Sequence, residues 1–186
     1  MPSKIVIETP RLILRVPEER DFDGLCELMT DPVATEHLGG VSEPAVIWRS
    51  LAGLIGHWSM RGYGFFSIED RQTGEWLGRV GPWFPHGWYA PEVGWSVLRR
   101  CWGKGIATEA AVASMNFVVD TLGWSRIVHV IASDNRASQA LARKLGSVNT
   151  TERFKVPGFG METEVWAQTA TDWRRHRQQF SSNHES

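Results

Sequence analysis

Hydrophobic and polar positions alternate in RLILRV (11–16), and that period of two predicts a first strand. Directly afterwards the period lengthens. In PEERDFDGLCELMTD (17–31), Phe22, Leu25 and Leu28 share one face behind Pro17 and a run of acidic residues, and Pro32 stops the segment, which predicts a helix. The stretch SEPAVIWRSLAGLIGHWSMRG (42–62) opens with a Ser-Glu-Pro start signal and carries Ile47, Leu51, Leu54 and Trp58 at three- and four-residue spacing. A second amphipathic helix follows from it. YGFFSIED (63–70) and EWLGRVGPWF (75–84) are β-rich runs joined by RQTG, a hairpin signal, and PEVGWSVL (91–98) is a further strand beyond the loop PHGWYA.

From residue 103 the period becomes helical again, with Ile106, Ala110, Ala113 and Phe117 on one stripe broken near Gly123, before RIVHVIA (126–132) returns as a buried strand. Strand, crossover helix and strand in that order predict a parallel pair. Asn135 to Leu145 reads as a helix with Ala137, Leu141 and Leu145 inward and Gly146 at its C-terminal stop. VNTTERFKV and METEVWAQTA then close a hairpin around PGFG, and the tail after Asp172 adds one short helix before losing order. Antiparallel strands leading into a parallel crossover give a mixed-sheet α+β class.

A chain of 186 residues builds one domain with a full core, here 1–186, its core at about 8–170 and a polar tail at 171–186. The 20 basic and 21 acidic residues leave a formal charge of −1, which argues against nucleic acid or an anionic membrane as the main partner. Cys26 and Cys101 have no metal or redox spacing, and no segment has the character of a signal peptide or a membrane span, so a soluble, cytoplasmic protein with free thiols is expected. Ten tryptophans are many for this length. The cluster Trp83, Trp88, Trp95 and Trp102 is read mainly as core, with the lining of a ligand cleft as the alternative.

The chemistry concentrates in LRRCWGKGIATEA (98–110). A helix start leaves several backbone N–H groups without partners and is electropositive, so it attracts anions. Gly103 and Gly105 clear side chains from those N–H groups, Lys104 adds a positive charge at the rim, and no acidic cap residue occupies the first helical positions. A phosphate cradle is one reading, and a tight strand-to-helix turn that needs glycine is the other. The Walker spacing is absent, and a dinucleotide fold would place its glycines beside a first strand.

RRCWGKGIA resembles the acyl-CoA signature of the GNAT superfamily of N-acetyltransferases, Gln/Arg-x-x-Gly-x-Gly/Ala, through Arg100, Gly103 and Gly105. TPRLILR, EVGW and NRASQALARKLG extend the resemblance, in order, over roughly residues 8–168, and they are similar to the branch containing ribosomal-protein-alanine N-acetyltransferases. The resemblance implies the GNAT acyl-CoA N-acyltransferase fold: a mostly antiparallel sheet with splayed parallel central strands, at 91–98 and 126–132, and flanking helices. It further implies acetyl-CoA as cosubstrate with no metal. The diphosphate would lie on Arg100, Gly103, Lys104, Gly105, Ile106, Ala107 and Thr108, and the pantetheine arm against Ser96, Val97, Leu98 and Asn135. The partners implied are acetyl-CoA and an amine acceptor, either a peptide N-terminus or a small molecule such as an antibiotic, amino acid or polyamine; many relatives pair as homodimers.

Acyl transfer to an amine needs a base for the amine and an acid for the departing thiolate. Glu92, at the head of a central strand, is the candidate base, an ordinary charged strand end being the alternative; Glu162 and Glu164 are further candidates. Many family members use a tyrosine acid in the helix after the fifth strand, where this chain has Ala142. Ser138, three residues after Asn135 as in the branch it resembles, is the candidate acid, although Asn135 and Ser138 also fit plain helix capping. His129 reads as a satisfied core residue, and His37, His57 and His86 lack ligand spacing. The missing tyrosine leaves a second class open, a non-catalytic acyl-CoA-binding or sensing domain.

Overall fold

The computed structural model describes residues 5–158 and 160–181. Its sheet has eight strands among the described residues: β1 (Val6–Glu8), β2 (Leu12–Arg15), β3 (Phe66–Asp70), β4 (Trp76–Trp83), β5 (Glu92–Val97), β6 (Arg126–Ala132), β7 (Val148–Lys155) and β8 (Glu162–Thr169). They run in the order β1-β2-β3-β4-β5-β6-β8-β7, and the β5–β6 pair is the parallel one. The helices are α1 (Phe22–Thr30), α2 (Pro44–Arg61), α3 (Ile106–Asn116), α4 (Arg136–Lys144), α5 (Ala170–His176) and α6 (Gln178–Ser181).

Alternation places Leu12 and Leu14, Phe66 and Ile68, and Val80 and Val93 on one sheet face, fully buried beneath Ile106, Ala110 and Met115 of α3. The opposite face carries a polar anchor. Arg15 is buried, pairing with Asp21 at 2.6 Å and Glu69 at 2.7 Å, while Ser67 donates to Asp21 at 2.6 Å. This network fastens the start of α1 to β2 and β3.

Three expectations are corrected. A short strand, β1, precedes 11–16 and pairs with β2. The inward stripe of α4 is Gln139, Ala142 and Leu145 rather than Ala137, which is exposed; Gln139 goes inside because its amide donates to the Ser133 carbonyl at 2.8 Å, so a polar residue is satisfied there. The tail expected to be polar from 171 includes Trp173, wholly buried in α5 and donating to Asn116 at 3.1 Å. The loss of order expected past it falls on 182–186, outside the described residues.

The parallel seam positions everything that follows. β4 and β5 register over six residue pairs, whereas β5 and β6 share the single pair Glu92↔Val128. Beyond it the two strands diverge toward Val97 and Ala132, leaving a gap at their C-terminal ends. A buried histidine reinforces the seam: His129 of β6 donates from Nδ1 to the Val93 carbonyl of β5 at 2.6 Å, and its Nε2 accepts from Ser147, itself bonded by Gln168. Desolvation lowers its pKa to about 4, so the ring is neutral and structural, as its place in mid-strand suggested.

Candidate active site

The gap opens into two cavities. The first, of 630 Å³, runs from Ser96 and Val97 past the glycine turn to Asn135 and Ser138. The second, of 450 Å³, lies over Glu92, Gly94 and Arg79 and reaches Val156 and Met161. Trp95, Ser96, Asn135 and Ser138 line both and mark where they meet.

Gly103 and Gly105 both adopt left-handed backbone, with φ of 72° and 77°. A Cβ on Gly103 would meet nothing within 4 Å, so conformation rather than space dictates glycine there. α3 starts at Gly105 with no side-chain cap, and its first intrahelical bond is Glu109 N–H to Gly105 O at 3.0 Å, which leaves the amides of Ile106, Ala107 and Thr108 facing the cavity without a helical acceptor. An acid does sit in the first turn after all. Glu109 is engaged from behind: Thr9 and Arg11 donate to it at 2.6 Å each, and Arg11 also holds the Lys104 carbonyl at 2.9 Å. These bonds fix the turn without using its amides.

The residues named from sequence for the cofactor divide by position. Ser96, Val97, Gly103, Gly105, Ile106, Ala107, Thr108 and Asn135 line the first cavity, and Leu98, Arg100 and Lys104 do not. Leu98 is buried and its amide donates to Leu77 of β4 at 2.9 Å. Because backbone groups alternate sides along a strand, Ser96 also faces β4, while Trp95 and Val97 face the gap, with no registered partner in β6. The Arg100 guanidinium turns away to Glu27 at 3.1 Å and Glu75 at 3.6 Å. Lys104 is exposed.

Glu92 lies at the crotch of the gap, 7% exposed. The Trp88 indole donates to it, and the Val130 amide, next after Val128 to face β5, also favours its ionised form. The Arg79 charge acts in the same direction, but burial outweighs all three and pushes the pKa up to about 8, so at neutral pH the carboxyl is mostly protonated. Ser138 Oγ accepts from the Trp95 indole at 3.3 Å, which leaves the hydroxyl proton free to be donated into the junction. Its backbone N–H is capped by Asn135 Oδ1 at 3.0 Å, so capping and a cavity position coexist. Ala142, at the family's tyrosine position, is fully buried beside Ile131 and Trp166. Glu164 is engaged by Asn149 at 2.9 Å and Trp166 at 3.1 Å and lies outside both cavities, and Glu162 is exposed.

Four further features emerge only in three dimensions. Trp83, Trp88, Trp95 and Trp102 line the cavities, Trp83 and Trp95 while also packing against the core. His37 borders both cavities, 3.4 Å from Asp134. Arg79 lines the second, and Gly94 leaves it open, since a Cβ there would lie 2.9 Å from the Phe65 ring. No group of three or more potential metal ligands occurs among the described residues, and no helix there is long and apolar enough to cross a membrane.

Residues 11–148 match the acetyltransferase (GNAT) domain family. The chain is 31% identical over 154 residues to YkkB of Bacillus subtilis, covering 78% of this chain and 87% of that protein. An acetyltransferase structure from Agrobacterium tumefaciens strain C58 is similar with a TM-score of 0.79 at 26% identity, over 89% of this chain and 95% of that one. RimL, a ribosomal L7/L12 alpha-N-protein acetyltransferase, shares the fold with a TM-score of 0.73 at 19% identity, over 89% and 94% of the two chains.

Proposed function

The chain belongs to the GNAT acetyltransferase family, and from that premise we propose that it moves the acetyl group of acetyl-CoA directly onto a primary amine. The meeting of the two cavities carries this reading: one side offers uncapped helix amides to a diphosphate, the other a buried carboxyl to an amine, and Trp95, Ser96, Asn135 and Ser138 lie between. An extended pantetheine arm would take the place of a strand beside β5, bonding to the gap-facing backbone of Trp95 and Val97. Of the residues named beforehand, Ser96 would then act through its position rather than its amide.

Glu92 is the base. An α-amine has a reference pKa of about 7.7–8.0 and a lysine amine about 10.4. Against a carboxyl at about 8 the α-amine proton passes nearly without a free-energy step, whereas a lysine proton would be retained over a hundredfold. An α-amine acceptor, the class on which RimL acts by name, is therefore favoured. The Val97 amide stabilises the oxyanion, and Ser138 gives its proton to the CoA thiolate. Ala142, packed in the core, supplies no acid.

Incubation of the protein with acetyl-CoA and a panel of α-amines and ε-amines tests this by release of free thiol. Turnover that favours α-amines is expected. Tight acetyl-CoA binding with no turnover on any amine would replace the enzyme by a sensing domain, and no binding would remove the premise for both.

A further inference from the structure

We propose that the acceptor bears a carboxylate close to its amine, on an apolar body, and that Arg79 selects it. The inference rests on the reading of the second cavity as the acceptor site. Arg79 stands opposite Ser96 in the β4–β5 register, so it shares a sheet face with Ser96, Gly94 and Glu92. Its guanidinium lies 5.0 Å over the Phe65 ring, and its Nε is buried with no hydrogen-bond partner. Among the described residues no carboxylate stands within ion-pair distance of it. Arg15, on the same face, shows the alternative: that buried guanidinium is met by both Asp21 and Glu69.

An arginine retained inside a protein without an anion is costly unless a ligand supplies one. Desolvation lowers the Arg79 pKa only to about 10, so the cation persists at neutral pH. Glu92 attracts it electrostatically but forms no ion pair with it, being bonded by Trp88 and mostly protonated. The planar fork of a single guanidinium suits a monoanionic carboxylate. Phe65 brings the two groups near each other: a Cβ at Gly94 would lie 2.9 Å from the tip of that ring and 3.0 Å from Glu92 Oε1. One small molecule can then offer its carboxylate to Arg79 and its amine to Glu92. Trp83, Pro85, Trp88 and Met161 give the cavity apolar walls for the remainder.

Phenylalanine and 2-phenylethylamine differ only in the carboxylate, and O-phosphoethanolamine presents a phosphate instead. Binding of each to the CoA-loaded protein is measured by calorimetry, and turnover by thiol release. Phenylalanine is expected to exceed 2-phenylethylamine at least tenfold in both affinity and kcat/KM and to exceed O-phosphoethanolamine. Arg79→Gln is expected to erase the preference, and Arg79→Lys, which keeps the charge without the fork, to retain part of it. Equal treatment of the pair, a preference that survives in Arg79→Gln, or a preference for phosphate or for a C-terminally amidated peptide overturns the proposal. If CoA binds and none of the three amines does, the proposal fails while the acetyl-CoA reading stands; if CoA itself does not bind, both fall.

Discussion

The indole of Trp95 donates to Ser138 Oγ at 3.3 Å, linking β5 to α4, the helix that follows β6, at the point where the two cavities meet. Since the indole is the donor, the serine proton is left for another acceptor. Replacing Ser138 by alanine should lower kcat about 100-fold, the lower range for a general acid, while acetyl-CoA affinity stays within about twofold because the backbone cap from Asn135 remains. Steady-state kinetics and a binding titration separate the two effects.

As the proposed base, Glu92 would act only when ionised. With an acceptor whose amine is already neutral across the range, kcat/KM should rise with pH to a plateau with an apparent pKa of about 8, and that limb should vanish in Glu92→Gln. The same group affects stability. Its folded pKa lies above its unfolded one, so the native state binds the extra proton between about 4.5 and 8, and stability falls as pH rises through that window. Glu92→Gln should therefore melt higher than the parent at alkaline pH and closer to it at low pH.

His129 has the opposite dependence. Its folded pKa of about 4 is below the ordinary 6.5, so the stability of the neutral ring is full above 6.5 and is lost as pH drops toward 4. The whole effect is at most about 3 kcal/mol. Urea titrations at stepped pH should show this acid limb in the parent and its absence in His129→Gln, which also loses the bond to Val93.

Gly105 tests the turn. Alanine at φ 77° costs about 1–2 kcal/mol in conformation, and its Cβ would press on the end of the Arg11 side chain at 3.3 Å, which can give way. Gly105→Ala should thus fold, with a melting temperature a few degrees lower, and should weaken acetyl-CoA binding about tenfold through the displaced amides of Ile106 and Ala107.

Much of this architecture is legible in the order of residues. Ile47, Leu51, Leu54 and Trp58 announce α2, and RIVHVIA coincides with β6, since burial on one or both faces imposes a period that a chain cannot hide. The turn at Gly103 and Gly105 is equally plain, because left-handed backbone needs glycine. Other features depend on register between distant segments. Nothing near Arg79 reveals that its neighbours lack an anion, and nothing near Glu109 reveals that Arg11 and Thr9 will engage it. Tryptophans look alike in core and cleft until the divergence of β5 from β6 opens a cavity beside Trp95, which packs against the core as well. β1 was too short, at three residues, to carry a period of its own.

Between β5 and β6 the sheet is held by one registered backbone pair, the His129 imidazole and the Val130 amide on Glu92, where β4 and β5 share six registered pairs. The most thinly stitched stretch of the sheet therefore coincides with the candidate site, and a chain-like ligand lying along it would supply the backbone partners that β6 withholds from β5.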